Sequence, residues 1–164
     1  MDKSRTYIIL GINETDIAPV AYFTLANRPI TLEDTIGRQK KKQYLGTTFE
    51  ANSQIPAILI GQIGKNFYND YNLLITGEDI FDLALHQVIE VNRVIGGRIV
   101  YLECENNDKL KSFYTERGFD LYTDDDNNPI FTNTGLIIFM KAMKNLKIDN
   151  SINRKRKHAI QAKK

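Results

Sequence analysis

The spacing of apolar and polar positions changes several times along the chain, and each change marks an element. Thr6-Tyr7-Ile8-Ile9-Leu10-Gly11-Ile12 is rich in β-branched and aromatic residues and reads as a strand. Asn13 to Asp16 reads as a turn, and Ile17–Leu25 as the antiparallel partner, so a hairpin opens the chain. Thr31-Leu32-Glu33-Asp34 carries a helix-start signature. Gly37 and the run Arg38-Gln39-Lys40-Lys41-Lys42 then interrupt any core face, and Gly46–Gln54 is polar and loop-like. Ile55–Lys65 is nearly all apolar over its first half, which predicts a central strand buried on both faces. Gly61 and Gly64 weaken such a strand unless it splays or another backbone comes close.

After a loop at 66–76, Phe81, Ala84, Leu85, Val88, Val91 and Ile95 recur at helical spacing, and Gly96-Gly97 stops the helix. A strand at 99–104, a helix at about 107–117 and a short strand at 119–122 follow. An acidic turn, Asp124 to Pro129, leads to a last strand, Leu136–Lys141. The order β-β-(α)-β-α-β-α-β-β predicts an α+β (mixed α/β) fold. It has an antiparallel N-terminal hairpin, a βαβ core with a right-handed crossover, and helices packed on the sheet. At 164 residues the chain fits one domain, 1–148, followed by a basic tail, 149–164.

Charge changes this picture more than composition does. The formal net charge is +2, yet residues 151–164 hold six of the 22 basic residues and none of the 20 acidic ones. The rest of the chain carries 16 basic against 20 acidic residues and is mildly acidic. The tail is then either a solvated, mobile terminus or an electrostatic contact for nucleic acid or another polyanion. Cys104 is the only cysteine, so an internal disulfide is excluded, and a reducing cytoplasm is the simplest location. In a strand it reads as a small buried apolar residue. His86 and His158 are the only histidines, which gives a metal site no support. No run approaches the ~18 apolar residues that span a bilayer, so no membrane partner is expected.

The most informative stretch is Ile99–Phe119, where a strand, a turn, a helix carrying Tyr114 and a Gly-terminated stop follow one another. Asn107-x-x-Leu110-x-x-x-Tyr114-x-x-x-Gly118-Phe119 is similar to the late motif of the GNAT superfamily of N-acetyltransferases. From residue 6 to 143 the element order resembles the same superfamily. Within it the chain looks most like small bacterial acetyltransferases related to the toxin group. Ile58–Lys65, the loop after it, and Gly77 with its long helix are similar to the family's cofactor strand, pyrophosphate loop and helix.

The resemblance implies acetyl-CoA (coenzyme A) as cofactor and an amine acceptor in a small molecule, a protein or an aminoacyl-tRNA. By that likeness, backbone groups of Ile63 and Lys65 would hold the pantetheine arm. Ile75, Thr76, Gly77, Glu78 and Asp79 would face the pyrophosphate. A helix N-terminus suits that role because its first N–H groups lack partners. Of the family's loop glycines only Gly77 is kept; Ile75 stands where another is expected. Glu78 and Asp79 equally stabilise their own helix start. Tyr114 would be the general acid for the departing thiolate, as a phenol of pKa ~10 beside a thiol of pKa ~8.5 can be. The same phenol could simply pack in the core. Asn107 either caps its helix or touches the cofactor arm. Glu103 or Glu105, near a strand end, could serve as general base.

The family begins with a strand and two helices that the sequence does not display. Residues 26–54 would replace that wall, or Met1 is not the natural start, or the chain is a degenerate GNAT-like binding or regulatory module. Arg38–Lys42 and the basic tail would serve a nucleic-acid partner, and a homodimer is compatible with the likeness.

Overall fold

A computed structural model describes residues 4–13, 16–32, 38–46 and 54–146. The hairpin consists of β1 (Ser4–Asn13) and β2 (Asp16–Asn27). Helix α1 (Arg38–Leu45) precedes the central strand β3 (Ala57–Lys65). A 3₁₀ turn at Tyr68–Leu73 leads to α2 (Gly77–Ile95). Then come β4 (Ile99–Cys104), α3 (Asp108–Glu116), β5 (Asp120–Leu121) and β6 (Ile137–Ala142). The six strands form one mixed sheet in the order β1-β2-β3-β4-β6-β5. Only β3 and β4 run parallel, and α2 is the crossover that such a pair needs. The α+β class and the hairpin read from the sequence are both present.

Side-chain alternation gives the sheet two cores. On one face, Phe23, Leu25, Ile58, Ile60, Val100, Leu102 and Phe139 pack against Ile80, Phe81, Ala84 and Val88 of α2 and Tyr114 of α3. Phe81 is the hub, with Phe113, Tyr114 and Phe119 set edge-on to it at 5.4–5.7 Å. On the other face, Leu59, Tyr101, Ile138 and Met140 meet Leu32 and Tyr44.

The helix-start signature read at Thr31–Asp34 lies mostly outside the described residues, which stop at Leu32 and resume at Arg38. Thr31 and Leu32 are not helical. Leu32 is buried on the sheet. Glu33 and Asp34 lie outside the described residues. The helix forms over the basic run itself, where Arg, Gln, Lys and Leu all have good helix propensity. Tyr44 anchors α1 by donating its hydroxyl to Asp120 Oδ2 at 2.9 Å, and Gln43 Nε2 donates to the same oxygen at 3.1 Å. Ile30, Leu32 and Tyr44 thus cover part of this second face. The basic tail lies outside the described residues. No described helix is long and apolar enough to cross a membrane.

Candidate active site at the splay between β3 and β4

The parallel ladder joins Ala57–Ile60 to Ile99–Leu102 and stops there, although both strands continue. The cause lies one strand away. Leu25 pairs with Ile60 and Phe23 with Ile63, so Gly61 and Gln62 together oppose Thr24. This is a β-bulge, with one extra residue on β3. Thr24 Oγ1 accepts the Gln62 N–H at 2.8 Å and satisfies the donor the bulge would strand. The glycines permit the close approach. A Cβ on Gly61 would stand 2.5 Å from Thr24 Oγ1, and one on Gly64 2.6 Å from the Tyr22 ring.

The extra residue also changes which way β3 offers its backbone. Asn66 N–H donates to Val20 O at 2.8 Å, so it is Gly64, two residues back, that bonds β2. Ile63 and Lys65 therefore turn their N–H and C=O towards the β4 side, into the splay. Their side chains do other work. Ile63 packs against the first core, and Lys65 Nζ donates to Asn72 O at 3.2 Å, tying the following loop down.

Helix α2 starts at the mouth of this splay, and its first turn is already partly satisfied. Thr76 Oγ1 accepts the Asp79 N–H at 3.1 Å, and Asp79 Oδ2 accepts the Thr76 N–H at 3.1 Å and its hydroxyl at 2.6 Å. This capping box gives Asp79 a structural role. By helix geometry the N–H groups of Gly77 and Glu78 need partners from outside the helix. A Cβ at Gly77 would meet nothing within 4 Å, so the space over the helix start is open. Ile75 does not fill it, because its side chain is buried in the first core.

Glu78 is neutralised by a residue that the sequence reading left without a role. Arg117, at the C-cap of α3, reaches Glu78 Oε1 at 2.9 Å, donates to Phe113 O at 3.0 Å, and lies 3.7 Å over the Phe113 ring. Its side chain is only 17% exposed, against 69% for Glu78. The only local sequence signal was an Arg four residues after an aromatic on a helix. The pairing with Glu78 spans distant elements and was not readable. The residues present thus fit a phosphate group: unpaired N–H donors, an open glycine, and a cation that cancels the nearby acid.

Tyr114 sits in the last turn of α3, 8% exposed, against Phe81, Phe113 and Phe139 at 5.1–5.4 Å. Gly118, at φ 71°, closes the helix, and Phe119 N–H donates to Tyr114 O at 3.1 Å. The phenol hydroxyl makes no hydrogen bond among the described residues. It is not among the fully buried unpartnered atoms, so it reaches the surface. Burial pushes its pKa up to about 12, with Cys104 next and Arg117 pulling the other way. Burial, then Glu105, likewise pushes the Cys104 thiol up to about 11, which suits an inert core residue.

Asn107 caps α3, accepting the Leu110 N–H at 2.9 Å. Glu105 is exposed, and Glu103 points to the face opposite α2 and α3. Ile63 and Lys65 lie at the C-terminal end of β3, Gly77 and Glu78 at the start of the helix that follows, and the Arg117–Glu78 ion pair ties that start to the end of α3 that carries Tyr114. Glu103 stands across the sheet from them. Two grooves, of about 400 and 520 Å³, lie elsewhere: one between α1 and β5, the other beside the C-terminal half of α2. No expected cofactor residue lines either. Among the described residues, no cluster of three or more His, Cys, Asp or Glu could hold a metal ion.

A central parallel pair that splays behind a bulge, flanked by an antiparallel hairpin and crossed by one long helix, defines a GNAT-like α+β fold. No protein-family profile and no curated protein sequence matches the chain. Solved structures do, among them KacT, the AtaT toxin and a further bacterial toxin. A tyrosine-to-phenylalanine variant of KacT superposes with TM-score 0.59 at 16% identity, over 88% of this chain and 74% of that one. An AtaT variant bound to the C-terminus of the antitoxin AtaR and acetyl-CoA gives 0.53 at 16%, over 87% and 70%. AtaT complexed with acetyl-methionyl-tRNAfMet gives 0.56 at 18%, over 87% and 72%. At these identities the likeness establishes the fold.

Proposed function

We propose that the protein is an acetyl-CoA-dependent N-acetyltransferase. The single observation that carries this reading is the bulge at Gly61-Gln62, which ends the β3–β4 ladder and turns Ile63 and Lys65 into the gap. Strands left unpaired in a core cost several kcal/mol of unmet hydrogen bonding unless something else pairs with them. An extended amide chain such as pantetheine would do so as an added strand. The N–H groups of Gly77 and Glu78 would receive the pyrophosphate, with Arg117 suppressing repulsion from Glu78. Backbone near Ile75 and Thr76 completes the loop. The bound group supplies an activated acetyl thioester. Ile63 N–H is the candidate donor to its carbonyl oxygen.

Tyr114 is the candidate general acid. The hydroxyl has no hydrogen-bond partner among the described residues and is available to a departing thiolate; burial raises its pKa to about 12, which keeps it protonated and makes it a weaker acid, so the transfer must accompany thioester cleavage. Asn107 is engaged as a cap, which supports a positioning role for α3 over direct cofactor contact. The acceptor is an amine. AtaT's complex with acetyl-methionyl-tRNAfMet, together with the basic helix α1 and tail, supports aminoacyl-tRNA within that class. The cytoplasm follows from such a substrate.

The test is release of free thiol from acetyl-CoA in the presence of aminoacyl-tRNA, polyamines and peptide amines. Turnover that needs one of these acceptors is expected. Absence of thiol release with all of them would favour the degenerate binding module.

A further inference from the structure

The groove of about 400 Å³ between α1 and β5 runs along the outer edge of the sheet. β5 is the last strand in the sheet order, so one side of it pairs with β6 and the other faces the groove. Tyr122 N–H donates to Ile138 O at 2.8 Å, and Asp120 opposes Met140, so both residues bond towards β6. Leu121, between them, turns its N–H and C=O to the open side, where neither has a partner among the described residues. Asp120 stands next to it. Its Oδ2 accepts from the Tyr44 hydroxyl at 2.9 Å and from Gln43 Nε2 at 3.1 Å, which fixes the carboxylate. Its Oδ1 accepts nothing among the described residues. Burial, then the charge of Asp120, holds the Tyr44 phenol above its ordinary range, so it remains a donor to that carboxylate. The Thr115 hydroxyl, at the α3 rim, makes no hydrogen bond among the described residues. Leu32, Tyr44, Phe119 and Tyr122 supply apolar and aromatic wall, and Asp120 is the one charged residue that lines the groove. Lys141, whose charge interacts with Asp120, is tied to Arg117 O at 2.9 Å.

We propose that this groove binds a small aliphatic primary amine, held as its ammonium ion on Asp120. The sign of the charge excludes an anion. The polar groups select the head group: a primary ammonium carries three donors and no acceptor. Asp120 Oδ1, Leu121 O and the Thr115 hydroxyl are all acceptors without a donor among the described residues. A quaternary ammonium has no hydrogen to give them, and a neutral alcohol forfeits the charge-assisted bond, which is roughly twice as strong as a neutral one. The alkyl chain would lie along Leu32 and Tyr44, and an aromatic face attracts a nearby cation as well. Because Tyr44 and Gln43 already hold the carboxylate, binding orders little that is free beforehand. The volume falls in the range of small-molecule sites, about 300–1,000 Å³. β4 and β6 separate this groove from the splay. At about 4.8 Å per strand the ammonium stands roughly 10–15 Å from the gap, too far to attack a thioester there. The site is therefore distinct from an acceptor's reacting position, and it does not rest on the proposed activity.

The experiment is a titration of the full chain with n-butylamine, without cofactor, at neutral pH and constant ionic strength, followed by amide nitrogen–proton correlation spectra. Saturable shifts are expected at Thr115, Asp120, Leu121 and Tyr122, with a Kd of about 1 mM, as befits so small a ligand. 1-Butanol and tetramethylammonium should each bind at least about 10-fold more weakly. Asp120→Asn keeps a carbonyl oxygen to accept from Tyr44 and should retain wild-type dichroism, yet lose at least about 10-fold in affinity for n-butylamine. Four results overturn the proposal: no saturable shift at these amides, shifts confined to the splay or to Asp124–Asp126, 1-butanol or tetramethylammonium binding as tightly as the amine, or undiminished affinity in Asp120→Asn. If Asp120→Asn fails to fold, Thr115→Val decides, with binding at least about threefold weaker expected and unchanged binding overturning the proposal.

Discussion

Replacing Tyr114 with phenylalanine removes a single oxygen from a well-packed site. The ring keeps its neighbours, Phe81 at 5.4 Å, Phe113 at 5.1 Å and Phe139 at 5.4 Å. The hydroxyl gives up no protein hydrogen bond, because it makes none among the described residues. The stability change is therefore expected below about 1 kcal/mol, which for a chain of this size moves the melting temperature by no more than about 4 °C. Turnover should fall far more, by about 10²–10⁴-fold, the usual contribution of a positioned acid. Acetyl-CoA affinity should stay within about threefold, since the diphosphate and amide contacts are elsewhere. Tyr114→Ala separates the two roles: deleting the ring should cost about 3–5 kcal/mol, and the melting temperature should drop by about 6 °C or more. The assay is thiol release at saturating acetyl-CoA, paired with thermal melting of each variant. With a phenol pKa of about 12, wild-type turnover should not decline through loss of this proton below about pH 11. A Phe variant with full turnover would refute the acid role. A Phe variant that melts as low as the Ala variant would refute the packing account.

The other predictions concern the scaffold. Glu78→Gln should change stability by less than about 0.5 kcal/mol, because Glu78 is largely exposed, whereas Arg117→Ala should cost about 1–3 kcal/mol through the lost Phe113 stacking and carbonyl contact; equal effects in denaturant melts would contradict this. Gly61→Ala should destabilise by about 1–3 kcal/mol, and by more than Gly64→Ala. The Tyr22 ring that Gly64 faces can swing away, but Thr24 must give up its bond to Gln62. Alkaline pH should weaken the fold. Tyr101 and Tyr114, ordinarily at 10.0, are raised to about 12, and Cys104, ordinarily at 9.0, to about 11. Their neutral forms are favoured in the folded state, so their stabilisation is complete below about pH 9 and fades as pH rises through 11–12. A melting temperature that is flat or rising from pH 9 to 11.5 would count against it.

Much of this architecture is legible in the amino-acid order, for identifiable reasons. The hairpin and α2 announce themselves through periodicity that continues into their packing: Phe81, Ala84 and Val88 recur at helical spacing and are buried together with Ile80, which the pattern did not single out, whereas Ile95 at the end of the series is exposed. The α3 motif is legible because cap, ring and stop, Asn107, Tyr114 and Gly118, lie within one local segment. What sequence alone could not supply is long-range. Thr24 and Gly61 meet through the sheet register, and Arg117 meets Glu78 across two helices. Leu32 and Tyr44 meet the second face of the sheet, a contact that no local pattern in 31–45 announces. Ile75 looked like a lost glycine; its side chain turns into the core, so the open space at the helix start survives.

The central claim is that a nucleotide diphosphate settles on the first N–H groups of α2. Gly77 offers a clean probe, because a Cβ there meets nothing within 4 Å, so a small side chain would enter the open space. Calorimetric titration of acetyl-CoA into the wild-type chain and into Gly77→Val measures this directly. The account predicts saturable one-to-one binding to the wild type and at least about a 30-fold loss in the valine variant, about 2 kcal/mol, with unchanged melting of the free protein. Equal affinity in both chains, or no heat with either, would contradict it.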